Sequence, residues 1–336
     1  MKTKGNKLKV VIIQPIHPSG IEILKSNDVE VCLIAQPSIE AVTKKIIDAN
    51  GIIVRSFLIT EKIIHTCKSL RVIGRYGAGV DNIDISAATD RGIPVVYTPG
   101  IHTKTVAEHT LALIFGLAKR LVNSDSALRR GEWNVREENA TLDLDGKVLG
   151  IIGYGRIGKE VARKAVAAFE MSVLAYDPYI YNRESKFHEV RFVDSLDDLL
   201  HESDFVSIHV PSSDRTKGMI GSRELAKMKP TSFLINTSRG DIIDESALIE
   251  VLRRGKIAGA GLDVFEIEPP RLDNPLLQLP NVIVTPHLAG MTAESVVRLS
   301  TAVAQGILDV FQGRRPAYVF NPEVYDRQLG VSRNDN

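Results

Sequence analysis

Short runs of β-branched and other apolar residues alternate with helix-length amphipathic stretches along the whole chain. In the first hundred residues the strand candidates are 9–14, 30–35, 51–55, 70–74 and 93–97, with helical patterns between them, for example at 39–49 and 83–90. Residues 104–120 place Val106, Ala107, Leu111, Ile114, Leu117 and Ala118 at three- and four-residue steps, which predicts a long helix with a broad apolar face. A polar, charge-rich stretch follows over 124–145, broken by the turn Gly131-Glu132-Trp133. A second series of strands is expected at 147–152, 173–176, 205–209, 232–236, 258–263 and 282–285, and 292–311 reads as another long helix. This rhythm predicts an α/β protein built from parallel sheets with crossover helices, not a sandwich or a bundle.

Length turns one such sheet into two: 336 residues exceed what a single compact core usually occupies. The composition, 44% hydrophobic and 25% charged, is that of a chain that folds throughout. A net charge of +1 gives no general attraction to a polyanion, so nucleic acid is not an expected partner. Cys32 and Cys67 form no C-x-x-C or Cys/His cluster, which argues against a disulfide framework or a zinc site, and no metal is expected. The N-terminus is basic, but the apolar run behind it is interrupted by Lys9 and halts at Gln14-Pro15, too short for a signal-peptide core. No stretch approaches the roughly 18–20 apolar residues of a membrane span, and the expectation is a cytoplasmic protein with no membrane partner.

The strand at 147–152 runs into Gly153-Tyr154-Gly155-Arg156-Ile157-Gly158 and then into an Ala-rich amphipathic helix. In that order the glycines have separate tasks: Gly153 permits the tight turn, Gly155 leaves room for a pyrophosphate, and Gly158 lets helix and strand approach. The helix N-terminus offers unpaired N–H groups to the phosphates. A glycine-rich turn alone is a weak signal, but the next strand ends in Asp177, 19 residues past Gly158, where an acid can accept the ribose hydroxyls. No arginine neighbours Asp177 in sequence, and its charge opposes a 2′-phosphate, so NAD is the expected cofactor.

Three downstream strand ends carry polar groups where the apolar sequence gives out: Asn236-Thr237-Ser238-Arg239-Gly240, Asp263 through Glu268-Pro269-Pro270, and Pro286-His287-Leu288-Ala289-Gly290. Ligands of open α/β sheets sit at the carboxyl ends of strands, so all three segments are expected to face the nicotinamide. Hydride removal from a hydroxyl-bearing carbon requires a group to take the hydroxyl proton, and a histidine suits that near neutral pH. His287 is the candidate base, Glu268 the carboxylate on its other ring nitrogen, and Arg239 the fork for a substrate carboxylate. Glu266 competes for the acid's role. Of eight histidines, His65, His109 and His201 read as helix-surface or packing residues, while His17, His102 and His209 also lie near strand ends.

Together these motifs resemble the D-isomer-specific 2-hydroxyacid dehydrogenases over about Val10 to Phe320, and the pattern is most similar to the phosphoglycerate-oxidising members. The resemblance implies two doubly wound parallel-sheet domains: a Rossmann NAD-binding domain, 102–290, inserted into a flavodoxin-like substrate domain of 1–101 and 291–336. It selects Glu268 over Glu266 and implies catalytic roles for Arg239, Glu268 and His287. It places Gly153, Gly155, Arg156, Ile157, Gly158 and Asp177 at the cofactor. It adds Val210, Pro211, Thr237, Ser238, Asp263, His287 and Gly290 there, with Asp263 at the nicotinamide carboxamide.

On the substrate side the turn Gly74–Asp81 has backbone N–H groups suited to an anion, and the resemblance carries carboxylate binding to Ala78 and Gly79. Arg55, Ser56, Arg75 and Arg239 are the further substrate contacts, the first-domain arginines suiting a phosphate-bearing acid. The family further implies a homodimer, with 104–129 at the interface and Trp133 nearby, or a tetramer of such dimers; a short form without the C-terminal regulatory module of many phosphoglycerate dehydrogenases is the expected departure from the family. Glyoxylate/hydroxypyruvate reduction and D-lactate oxidation stay open on the same frame, as does an NAD(H)-sensing corepressor-like binding protein.

Overall fold

The computed structural model describes residues 7–138, 140–180 and 190–328, and their contacts divide the chain into two units. One runs to His102 and resumes at Ala293; the other spans Thr103–Thr292. Of the basic N-terminus, residues 1–6 lie outside the described residues.

In the first unit β1 (Lys9–Ile13), β2 (Glu30–Ile34), β3 (Gly51–Val54), β4 (Val72–Arg75) and β5 (Val95–Val96) pair in parallel, in the order β2-β1-β3-β4-β5. Successive side chains of these strands go to opposite faces, and both faces are covered, so the strands read as unbroken apolar runs. Val11, Ile13, Ile52, Val54 and Ile73 pack with Val42 and Ile46 of helix Ile39–Ile46 and with Ile63 and Ile64 of helix Glu61–Thr66. Val10, Ile12, Ile53 and Val72 pack on the other side with Leu24 of helix Pro18–Ser26 and with Leu299, Val303 and Ile307 of helix Ala293–Phe311. The late helix belongs to the first sheet, which is why the chain returns to this unit.

The second unit holds β6 (Val148–Ile152), β7 (Ser172–Tyr176), β8 (Val190–Phe192), β9 (Phe205–Ile208), β10 (Phe233–Asn236), β11 (Gly259–Leu262) and β12 (Val282–Val284). All are parallel, in the order β12-β11-β10-β9-β6-β7-β8. The winding reverses between β6 and β9, so the crevice of this sheet opens at the carboxyl end of β6, where the glycine turn begins. Helices Thr103–Ala118 and Arg156–Phe169 cover the face carrying Leu149, Ile151, Val173 and Ile235. Helices Leu196–Glu202 and Glu245–Arg253 cover the face carrying Ile152, Val206, Ile208 and Leu234.

Two departures from the sequence pattern stand out. The long helix stops at Ala118, and the polar stretch after it contains helices Leu121–Arg129 and Val135–Glu138. Arg120 takes a left-handed conformation, φ +49°, which ends one helix and redirects the chain into the next. Of helix Leu121–Arg129 only Ala127 is buried, so no apolar stripe announces it. Strand β8 buries only Val190 of its three residues, so no apolar run marks it. Among the described residues no helix is long and apolar enough to cross a membrane.

Candidate active site

The glycine turn is built as its residue types require. Gly153 has φ +92°, and a side chain there would meet the His209 carbonyl oxygen at 2.8 Å. A Cβ on Gly158 would lie 2.3 Å from the Gly153 carbonyl oxygen, so helix and turn approach at backbone distance. At Gly155 a Cβ would meet nothing within 4 Å. That open space lies at the start of helix Arg156–Phe169, whose N-cap residue is Gly155 and carries no side-chain capping bond. The first turn therefore keeps its amides for an anion, and the pyrophosphate of a dinucleotide fits there. Asp177, at the end of β7, accepts the Tyr154 N–H at one oxygen and the Tyr179 N–H at the other, each at 3.0 Å. These bonds orient the carboxylate and leave it further lone pairs. An arginine invisible to sequence adjacency also stands nearby: Arg215 donates to the Tyr179 hydroxyl at 3.0 Å.

At the ends of β10, β11 and β12 the predicted trio converges. His287 Nδ1 lies 2.7 Å from Glu268 Oε2. Glu268 Oε1 accepts the Phe265 N–H at 3.2 Å. Burial pushes the Glu268 carboxyl upward, but the His287 hydrogen bond and charge, the Phe265 amide and the Arg239 charge outweigh it, and its pKa lies below the usual value. Bonded in this way Glu268 fixes a proton on Nδ1 and leaves Nε2 as the acceptor. His209, the other histidine at a strand end of this sheet, is a poor base: loss of hydration holds its pKa down at about 3, and its Nε2 lies 2.9 Å from Ser207 Oγ.

Arg239 is set by two features. Asn236, fully buried, donates to the Arg239 carbonyl at 2.7 Å and accepts the Ser238 N–H at 3.0 Å, tying the loop into a fixed bend. Gly240 then passes so close to the next loop that a Cβ would fall 1.9 Å from the Phe265 carbonyl carbon. Thr237 meets Thr110 at 2.9 Å and Ser238 donates to the Val210 carbonyl, so both hydroxyls brace the loop. Asn236 stands in the polar strand end marked in the sequence, but its role as the brace of Arg239 shows only here, because an asparagine ending a strand is common.

Asp263, the residue expected at the nicotinamide carboxamide, is fully buried, and its oxygens accept bonds from the turn that carries His287. Oδ1 accepts the Thr285 hydroxyl at 2.6 Å and the Leu288 N–H at 2.9 Å, and Oδ2 accepts the Ala289 N–H at 2.8 Å. Its carboxylate shapes the turn that carries His287.

At the carboxyl end of the first unit's sheet, Arg55, Ser56 and Arg75 end β3 and β4, followed by the loop of Ala78 and Gly79. The Ala78 and Gly79 N–H groups have no hydrogen-bond partner among the described residues. Arg55 donates to the Pro15 carbonyl at 3.1 Å and lies over the Tyr76 ring at 5.9 Å. Arg75 folds back to donate to the Tyr76 carbonyl, bracing the loop. Ser56 is held by Gln14, a residue the sequence reading did not single out, which accepts the Ser56 N–H at 2.8 Å and the Phe57 N–H at 3.0 Å. Among the described residues no cluster of three or more His, Cys, Asp or Glu is arranged to hold a metal.

The sequence model for the D-isomer-specific 2-hydroxyacid dehydrogenase NAD-binding domain matches residues 111–289. The chain is 41% identical over 307 residues to a D-3-phosphoglycerate dehydrogenase of Archaeoglobus fulgidus, covering 91% of this chain and 58% of that protein. It therefore spans about three-fifths of the length of that relative. It is also 41% identical over 296 residues to a glyoxylate reductase of Korarchaeum cryptofilum, covering 86% of this chain and 88% of the relative. Among solved structures, an NADPH-dependent glyoxylate/hydroxypyruvate reductase from Sinorhizobium meliloti superposes with a TM-score of 0.84 at 29% identity, covering 94% of this chain and 99% of that one. With its glycine turn, its histidine–glutamate pair and these likenesses, the chain belongs to the D-isomer-specific 2-hydroxyacid dehydrogenase family.

Proposed function

We propose that this protein is an NAD-dependent dehydrogenase interconverting a 2-hydroxy acid and its 2-oxo acid, with a phosphate-bearing three-carbon acid as substrate. The observation that carries the reading is the 2.7 Å contact between His287 Nδ1 and Glu268 Oε2. With Nδ1 committed to Glu268, Nε2 takes the substrate hydroxyl proton in oxidation and returns it in reduction. Glu268 stabilises the imidazolium formed in the first case. Arg239 grips the substrate carboxylate and polarises the carbonyl in the second. The bound nicotinamide supplies or accepts the hydride. In the first unit, the unengaged amides of Ala78 and Gly79 suit the substrate carboxylate, and Arg55 and Arg75 suit its phosphate.

Asp177 supports NAD over NADP, since two backbone amides hold its carboxylate where the ribose hydroxyls bind in this fold. The exposed apolar residues Leu121, Val122, Leu128 and Trp133 support a homodimer through 121–133. The apolar face of helix Thr103–Ala118 is used within its own unit. Free thiols at Cys32 and Cys67 suit a cytoplasmic enzyme.

The test is NADH oxidation with 3-phosphohydroxypyruvate, hydroxypyruvate, glyoxylate and pyruvate, compared by kcat/KM. The highest value is expected for the phosphorylated acid; a preference for glyoxylate, which the likeness to the Korarchaeum reductase favours, would replace that substrate and keep the chemistry. No turnover with any of them would leave a dinucleotide-binding protein.

A further inference from the structure

His287 has φ +50°, a backbone conformation that residues with a Cβ rarely adopt and that persists only where the surroundings enforce it. Asp263 supplies much of that enforcement. Its carbonyl accepts the His287 N–H at 2.8 Å, while its buried carboxylate receives Leu288, Ala289 and the Thr285 hydroxyl from both flanks of the histidine. One further residue reaches this cluster from helix Thr103–Ala118: His109 Nε2 lies 3.0 Å from Thr285 Oγ1 and 3.6 Å from Asp263 Oδ1. A hydroxyl has one proton. Thr285 gives it to the carboxylate, which has none to return, so Thr285 can only accept from His109, and His109 must carry its proton on Nε2.

We infer that His109 and Thr285 are positioning residues for His287, acting through the buried Asp263 carboxylate. The Nε2–H of His109 orients the Thr285 hydroxyl, and the hydroxyl completes the set of donors on Asp263. The turn 285–289 thereby holds His287 where Nδ1 meets Glu268. His109 touches no reacting group, and the inference rests on His287 and Glu268 being the acid–base pair. It gives a function to a histidine that reads from sequence as packing, and it explains why a fully buried carboxylate is retained beneath this turn.

The experiment uses the whole chain with 15N-labelled histidine and no cofactor. Ring-nitrogen NMR reads the tautomer of His287, with His287→Gln identifying its signals. Thr285→Val removes the hydroxyl at similar volume and Thr285→Ser restores it; His109→Leu removes the donor and His109→Gln keeps one. In Thr285→Val and His109→Leu, His287 is expected to lose its Nδ1–H preference, and kcat to fall roughly 10-fold or more. NADH affinity, read by fluorescence, should stay within about twofold of wild type, because the Thr285 hydroxyl and His109 Nε2 are spent on Asp263 and on each other. The Ser and Gln variants should recover both readouts. An unchanged His287 tautomer in Thr285→Val or His109→Leu would overturn the inference, and so would a loss of NADH affinity at unchanged kcat, which would make the cluster a cofactor contact. If Thr285→Val does not fold, His109→Leu with His109→Gln decides the matter. The tautomer readout needs no turnover, so an inactive wild type would sink the proposed reaction without deciding this question.

Discussion

Two turns of the second unit, 153–158 and 285–289, both follow a strand and both bend through a left-handed residue, yet they spend their hydrogen bonds in opposite ways. Gly153, at φ +92°, opens a turn whose following helix starts without a side-chain cap, beside open space at Gly155. His287, at φ +50°, sits in a turn whose neighbouring amides are bound by Asp263. The first turn keeps the amides at the start of its helix for a ligand and uses glycine to reach its geometry at low cost. The second must aim one side chain, cannot be glycine at that position, and uses a buried carboxylate to hold a conformation its Cβ resists. A ligand cradle thus shows itself by unsatisfied groups, and a reactive side chain by the over-satisfied backbone beneath it.

The largest expected effect breaks the second turn's purpose and leaves the first untouched. His287→Gln should lower kcat by at least about 10²-fold with NADH affinity little changed, as loss of an acid–base group does. Arg239→Ala should lower kcat/KM by a similar factor through loss of charge stabilisation. Steady-state kinetics beside fluorescence titration of NADH checks both, and near-native turnover in either variant removes that residue from the mechanism.

The converse lesion is Gly158→Ala, which sets a methyl 2.3 Å from the Gly153 carbonyl and forces turn and helix apart. NADH affinity should fall about 10-fold or more, and the melting temperature should drop as well, since backbone has to move. Wild-type affinity in a folded Gly158→Ala protein would mean that the close approach does not shape the cradle.

This contrast also explains what could be read in advance. The first turn was legible because its function lies in a local run of residue types: strand, three glycines and an acid 19 residues on. His287 was legible because it interrupts an apolar strand end with a group that chemistry needs, whereas Glu268 was separated from Glu266 by the family resemblance. The support beneath them was not, because Asn236, Thr285 and His109 come from different elements and acquire their roles only when β10, β11, β12 and the helix Thr103–Ala118 pack together. The bonds of Asp263 to the second turn were not legible either, since a strand-end aspartate carries the same sequence signal whether it meets a ligand or a turn. The strands of both sheets other than β8 declared themselves as apolar runs, whereas helix Leu121–Arg129, with one buried residue, had no apolar stripe to declare.

A milder change sharpens the cradle side alone. Asp177→Ala removes the negative charge near the ribose while Arg215 remains on Tyr179, so the preference for NADH over NADPH should fall by roughly 10-fold, mostly through KM. Adding Arg215→Ala should restore part of the preference by removing the cation available to a 2′-phosphate. An unchanged ratio in Asp177→Ala would show that the carboxylate only caps its turn through Tyr154 and Tyr179.

The smallest effect concerns the link between the pair and folding. The folded Glu268 carboxyl titrates below its ordinary value, so the charged form is favoured in the native state. Its contribution to stability is therefore fully present above the unfolded carboxylate range, from about pH 5 upward, and is lost as pH falls through the lowered folded pKa. Glu268→Gln should lower the melting temperature at neutral pH by no more than about 2 °C, since the pair is partly exposed and solvent-screened, and the difference should close in acid. Melting curves of both proteins across that range test the sign. A gap that widened as the pH fell below about 5 would mean that the His287 contact does not favour the carboxylate, and the fixed Nδ1 proton on which the base depends would lose its anchor.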